Sequence, residues 1–254
     1  MDITTVLNMP RIVIAHRGDS FNETENTLAA FIAADRKGAH ILETDVHLTR
    51  DKKVVIWHDD NLGSFSKSGT AVPFADMTYE DIVTESMSLI GQKVPLLTDL
   101  LEELPAACIN IDLKDRMSEL VDEYAAILLK TKAARRIITG SFHDGILKEF
   151  RKRNNEAVTS ATPGEVKKIL AGYYTGLLHL VPSLEKTILQ VPEVHGGIRV
   201  VSKGLSRLVR KKGGKIHVWT VNDRRDMERL YNWGVHGIVT DDPGTALSLL
   251  KGQK

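Results

Sequence analysis

Glu43 and Asp45 stand two residues apart in the run ILETDVHL (41–48), and His58 closes the apolar run VVIW (54–57) after the polar turn TRDKK. Two acids and an imidazole in so short a stretch suit a divalent cation with a proton carrier beside it. Alternation along the first run puts Glu43 and Asp45 on one face of a strand and Leu42 on the other. The turn is too short for a crossover helix, so the two runs should pair as antiparallel neighbours and return His58 close to Asp45. Taken alone, the stretch also reads as a surface hairpin with solvated charges.

Other chemistry-bearing residues sit at the ends of apolar runs elsewhere. His16 and Arg17 follow IVIA (12–15), Ser141 follows RIITG (136–140), Gln190 ends TILQ (187–190), and Trp219 ends KIHVW with Asn222 just beyond. Asp112 lies inside INIDLK, where an unpaired charge is expensive to bury. A buried ion pair with Lys114 is the structural alternative. Three carboxylates brought together would repel unless a cation sat among them. Oxygen donors favour Mg, Ca or Mn, while zinc prefers His and Cys, and the chain has neither a cysteine pair nor an HExxH helix. His16 and His58 are then proton carriers near neutral pH. Arg17 and Lys114 supply positive charge for an anionic substrate. Together these parts suit displacement at phosphorus, with one histidine taking a proton from the nucleophile and the other protonating a leaving alkoxide.

Regularly spaced elements must position these residues. Strands are expected at 12–15, 41–48, 107–112, 136–140, 157–160, 187–190, 215–219 and 236–240, with the hairpin arm at 54–57. Amphipathic stretches lie between them, including 25–37, 117–130, 144–153, 163–180, 203–212, 222–232 and 244–251. Eight strand–helix units in 254 residues match an α/β fold of the (β/α)8 TIM-barrel type, with a short β-hairpin extension after strand two. A doubly wound open sheet is the competitor, weakened by the lack of a glycine-rich phosphate fingerprint after any strand. No linker or composition shift divides the chain, so one domain is expected over 1–254, with a core of about 11–250.

Composition bounds the setting. The chain is 42% hydrophobic and 26% charged, as an ordinary globular protein is. A net charge of +1 gives no reason to expect nucleic acid or a membrane surface as partner. Cys108 is the only cysteine, which excludes an intrachain disulfide; its apolar surroundings suggest a core residue. The N-terminal residues show no secretory signal and no apolar run is long enough for a membrane span, so a cytoplasmic location is expected.

The motifs together resemble the glycerophosphodiester phosphodiesterases (GP-PDE domain) of the PLC-like phosphodiesterase barrel group. The matching pieces are HRG at 16–18, ENT at 25–27, ETDV at 43–46, TRD at 49–51, HD at 58–59, IDLK at 111–114, SF at 141–142, LQVPE at 189–193, HVWTVND at 217–223 and GVHGIVTDDP at 234–243. They run in family order along nearly the whole chain. The resemblance implies His16 and His58 as the catalytic pair, Glu43, Asp45 and Asp112 as ligands of one divalent cation, Mg or Ca, and Arg17 and Lys114 as phosphate contacts. Gln190 and Trp219 are candidate substrate contacts. It implies hydrolysis of glycerophosphodiesters to glycerol 3-phosphate and an alcohol, or lysophospholipase D activity on lysophospholipids, through a cyclic phosphate if a substrate hydroxyl attacks. A catalytically silent barrel that senses phosphodiesters is the alternative outside enzymology.

Three positions depart from the family pattern. Asp112 stands where Glu is usual, Thr24 where Pro commonly precedes ENT, and Ser64 where an Arg often follows the second histidine. Tyr173, Tyr174, Leu177, Leu178 and Leu180 are candidates for an acyl channel, although such an apolar stripe is more often core.

Overall fold

A computed structural model of the chain describes residues 2–63, 72–180 and 183–251, and Ser64 lies outside them. Eight parallel strands form its centre: β1 (Ile12–His16), β2 (Ile41–Leu48), β4 (Ile109–Leu113), β5 (Ile137–Gly140), β6 (Val158–Thr159), β7 (Ile188–Pro192), β10 (Lys215–Trp219) and β11 (Gly237–Thr240). Their lateral order is β6-β5-β4-β2-β1-β11-β10-β7, and a parallel bridge between Ser160 and Ile188 joins the two ends. The sheet is therefore a ring, a (β/α)8 barrel, which excludes the open doubly wound alternative. β3 (Val54–Ile56) pairs antiparallel with β2, Val46 facing Ile56 and Leu48 facing Val54. A second hairpin, β8 (Val194–His195) with β9 (Ile198–Arg199), follows β7.

The helices start and stop where local chemistry dictates. α2 (Leu28–Lys37) begins three residues later than periodicity suggests, because the Thr27 hydroxyl accepts from the Ala30 amide and caps it. It ends at Gly38. α3 (Tyr79–Ile90) opens with a Thr78/Asp81 capping box, and α4 (Leu97–Glu103) follows. α5 (Ser118–Thr131) and α6 (Asp144–Arg153) flank β5. α7 (Pro163–Tyr174) has a Thr162/Glu165 capping box with Pro163 in its first turn, and stops short of the expected residue 180. A separate 3-10 turn covers Leu177–Leu180. α8 (Lys203–Lys211), α9 (Arg224–Trp233) and α10 (Pro243–Lys251) complete the ring. No helix among the described residues is long and apolar enough to cross a membrane.

Inside the barrel Ile12, Ile14, Ile41, Cys108, Ile138, Ile188 and Val239 pack together, confirming Cys108 as a core residue. The same cluster takes in Ile3, Val6 and Leu7 of α1 (Ile3–Leu7), a helix too short for sequence periodicity to reveal. Burying a side chain of this size contributes about 1.5–3 kcal/mol. The floor beneath the site is therefore solid.

Candidate active site

Strand register assembles the site. Parallel pairing aligns His16 of β1 with Glu43 of β2, and Asp45 of β2 with Asp112 of β4. Asp112 in turn faces Gly140 of β5, where a Cβ would overlap the Asp112 carboxylate. The turn after β1 holds Arg17 at φ 55° and Gly18 at φ 87°. A Cβ on Gly18 would lie 2.6 Å from the Ala30 backbone, so the position needs glycine on two counts. The turn aims the Arg17 amide at Glu43 Oε2, 3.1 Å away. At the returning arm of the hairpin the Trp57 amide donates to the Asp45 carbonyl, which brings His58 to the same end of the barrel.

The nine residues given roles from sequence, His16, Arg17, Glu43, Asp45, His58, Asp112, Lys114, Gln190 and Trp219, line one cavity of about 430 Å³ at the carboxyl ends of the strands, as does Ser141, while Asn222 is not in its lining. Lys114 Nζ lies 3.4 Å from Asp45 Oδ1, and this is its ion pair. The alternative pairing of Lys114 with Asp112 is not the one formed. Arg17 donates to both Glu25 carboxylate oxygens at 2.8 and 3.0 Å, while its Nε stands 3.8 Å from Asp45 Oδ2, beyond hydrogen-bond reach. Gln190 donates to Asn110 at 2.7 Å, and Trp219 meets Phe142 edge-on at 6.0 Å between ring centres.

The acids are held under electrostatic tension. Loss of solvation, and then the charge of Asp45, push Glu43 up to about 8. The same two causes push Asp112 up to about 7. Burial works against the His16 imidazolium, but the hydrogen bond to Asp241 and the charge of Glu43 outweigh it and raise its pKa above the ordinary histidine value.

Sequence reading did not assign the residues that hold the two imidazoles. His16 Nδ1 meets Asp241 Oδ1 at 2.6 Å, and Asn222 and Ser20 both donate to Asp241. His58 Nδ1 meets Asp59 Oδ1 at 2.7 Å, and the His58 carbonyl lies 3.2 Å from His47 Nε2. Such a partner fixes the ring and its tautomer, leaving the second nitrogen to act. The acids following VT in VTDDP and following His58 are plain in the sequence, but only the fold shows which imidazole each one holds.

The sequence profile of the glycerophosphoryl diester phosphodiesterase family matches residues 16–245. The chain belongs to this family. It is 28% identical to a lysophospholipase D of Rattus norvegicus over 91% of this chain and 83% of that one. It is 29% identical to a glycerophosphodiester phosphodiesterase of Caldanaerobacter subterraneus, covering 96% of this chain and 99% of the other. A solved glycerophosphodiester phosphodiesterase from Thermotoga maritima superposes with a TM-score of 0.69 at 28% identity, covering 94% of this chain and 98% of that one.

Members of this family generally depend on a divalent metal, and the donors here fit one. Asp45 Oδ2 is buried with no hydrogen-bond partner, as is Arg17 Nε. A buried carboxylate oxygen without a hydrogen bond, its nearest guanidinium nitrogen 3.8 Å off, beside two acids whose own ionisation is opposed, suits a cation. Among the described residues no three His, Cys, Asp or Glu side chains form a ready-made cage. Arg17 and Lys114 meanwhile share Asp45.

The far wall of the cavity is apolar, formed by Val166 and Leu170 of α7, Val191, Val200 and Trp219. The expected stripe is not this wall. Tyr174, Leu177 and Leu180 are exposed and Tyr173 packs on the core between α7 and α8, while the Leu178 side chain lies outside what is described. The first two turns of α7 face the cavity, and Tyr173 and Tyr174 continue the same face farther along the helix axis, past the cavity's lining.

Proposed function

We propose that the chain hydrolyses glycerophosphodiesters to glycerol 3-phosphate and an alcohol, using one Mg or Ca ion held by Glu43, Asp45 and Asp112. The observation that carries this reading is Asp45 Oδ2, buried without a hydrogen bond, with Asp112 beside it in register and the cavity that His16 and His58 share in front of it. When bound, the ion would polarise a phosphoryl oxygen as a Lewis acid. Arg17 and Lys114, both beside Asp45, would face the non-bridging oxygens of the phosphate with their charge. His16, raised in pKa and fixed through Nδ1 by Asp241, holds a proton at Nε2 for transfer at the reacting oxygens. His58, fixed by Asp59, works on the other side of the phosphate. Each such proton transfer is worth about 10²–10⁴-fold. Gln190 and Trp219 line the space that the glycerol or alcohol portion would fill. The barrel acts as one catalytic unit, and its lone buried Cys108 suits a reducing, cytoplasmic setting.

Lysophospholipase D activity is the second reading. The wall formed by Val166, Leu170, Val191 and Val200 favours it, since an acyl chain can lie against it. Product analysis by phosphorus NMR on glycerophosphocholine and lysophosphatidylcholine, with metal and with chelator, tests both. Release of glycerol 3-phosphate from the first substrate supports the main reading. Release of lysophosphatidate from the second alone transfers the assignment to the alternative. No turnover of either refutes both.

A further inference from the structure

The net charge of +1 averages two unlike parts of the chain. Residues 163–213 contain nine Lys and Arg against three Glu, so this stretch is strongly basic and the remainder is acidic. In the fold it supplies α7, β7 and the β8–β9 hairpin, which line one side of the cavity, and α8, whose start meets α7 through Tyr173 and Ser202, while Lys186, Arg210, Lys211 and Lys212 lie toward the other end of the barrel. Glu165 is already paired with Arg151, and Glu193 with Arg229 and Arg199. Lys167 on α7, and Lys203 and Arg207 on the first two turns of α8, remain as exposed positive charge.

The hairpin stands away from the body, with residues 194–199 all exposed and Gly196 and Gly197 at φ 56° and 77° making its tight tip. Val194 faces Arg199 and His195 faces Ile198, so Val194 and Ile198 project from opposite faces. They are 50% and 66% exposed. Tyr174, also exposed, is tied to the hairpin by its hydroxyl, which donates to the Arg199 carbonyl at 2.8 Å. Phe21 and Phe142 extend exposed aromatic surface from two other loops at the same end of the barrel. A protein partner seated on one face of the hairpin would leave an apolar side chain on the other face in water. Apolar groups on both faces above a basic flank suit entry into an interface with anionic headgroups behind it.

We propose that this rim docks the active-site mouth on the surface of an anionic phospholipid membrane, with the hairpin tip entering the headgroup layer. The purpose, access to substrates that carry an acyl chain, rests on the phosphodiesterase reading; the binding itself does not. The test is co-sedimentation of the full chain with vesicles of phosphatidylcholine alone, or with about one-third phosphatidylglycerol, at low and high salt. Binding to the anionic vesicles that weakens with salt is expected. Val194→Asp/Ile198→Asp and Lys203→Glu/Arg207→Glu should each weaken it at least about tenfold, with melting temperature and turnover of water-soluble glycerophosphocholine unchanged. Equal binding to both vesicles, or none, overturns the proposal. So does self-association that Val194→Asp/Ile198→Asp abolishes in a chain that ignores lipid, because a second copy would then be the occupant. Failure of the catalytic reading shows separately, as vesicle binding without turnover.

Discussion

Asp241→Asn removes the charge that holds His16 while keeping the side chain's size. The 2.6 Å charge-assisted hydrogen bond between the two side chains gives way to a neutral one, and Asn222 and Ser20 are left to orient an amide. Hydrogen bonds to charged groups contribute about 1.5–3 kcal/mol. If most of that is expressed when His16 carries its proton in the reaction, kcat/KM should fall about 10- to 150-fold. The pKa read from the His16 limb of the pH profile should also fall, because Asp241 is among the groups that raise it. That direction holds whether His16 serves as acid or as base. The assay is the pH dependence of kcat and kcat/KM on glycerophosphocholine, with circular dichroism and a melting curve to confirm the fold. A variant within about threefold of the parent at every pH, with its limb unmoved, would refute the role given to Asp241.

Other perturbations have equally definite outcomes. His16→Ala and His58→Ala should each lower turnover at least about 100-fold without unfolding the chain, checked by kinetics beside a melting curve. Gly140→Ala should displace the Asp112 carboxylate and weaken metal affinity at least about tenfold in calorimetry, since the added methyl occupies that carboxylate's place. In chelator the chain should lose stability as pH rises from about 4 and the loss should level off at about 7 to 8: Asp112 and Glu43 have folded pKa values above their unfolded ones, so folding binds extra protons that rising pH removes. Melting temperature against pH measures this, and Mg or Ca should cancel the fall. At the opposite end His236 is depressed to about 4 by burial and Lys215, so its contribution is intact above about pH 6.5 and lost as pH falls toward 4. The loss is at most about 3 kcal/mol, and His236→Gln should flatten it.

The residues that line the cavity were legible because they are polar groups at the ends of apolar runs, a pattern that has a cost unless a site requires it. Regular alternation of strands and helices made the barrel readable as well. What stayed hidden depends on contacts between distant segments. Asp241 reaches His16 across 225 residues of chain, and only the closure of β11 against β1 joins them. Lys114 looked like the partner of Asp112, two residues away, yet register placed Asp45 of the neighbouring strand within its reach. The apolar stripe at 173–180 misled because periodicity says that a face is apolar but not what it faces. Helix α1 and the 194–199 hairpin are too short to show a period at all.

The most direct test strips the chain of metal and follows glycerol 3-phosphate release from glycerophosphocholine as Mg or Ca is titrated back. Turnover that starts at zero, saturates at one ion per chain and is lost in Glu43→Gln and Asp45→Asn is the predicted result. Undiminished turnover in the stripped chain, or in either variant, would contradict a cation gripped by these acids.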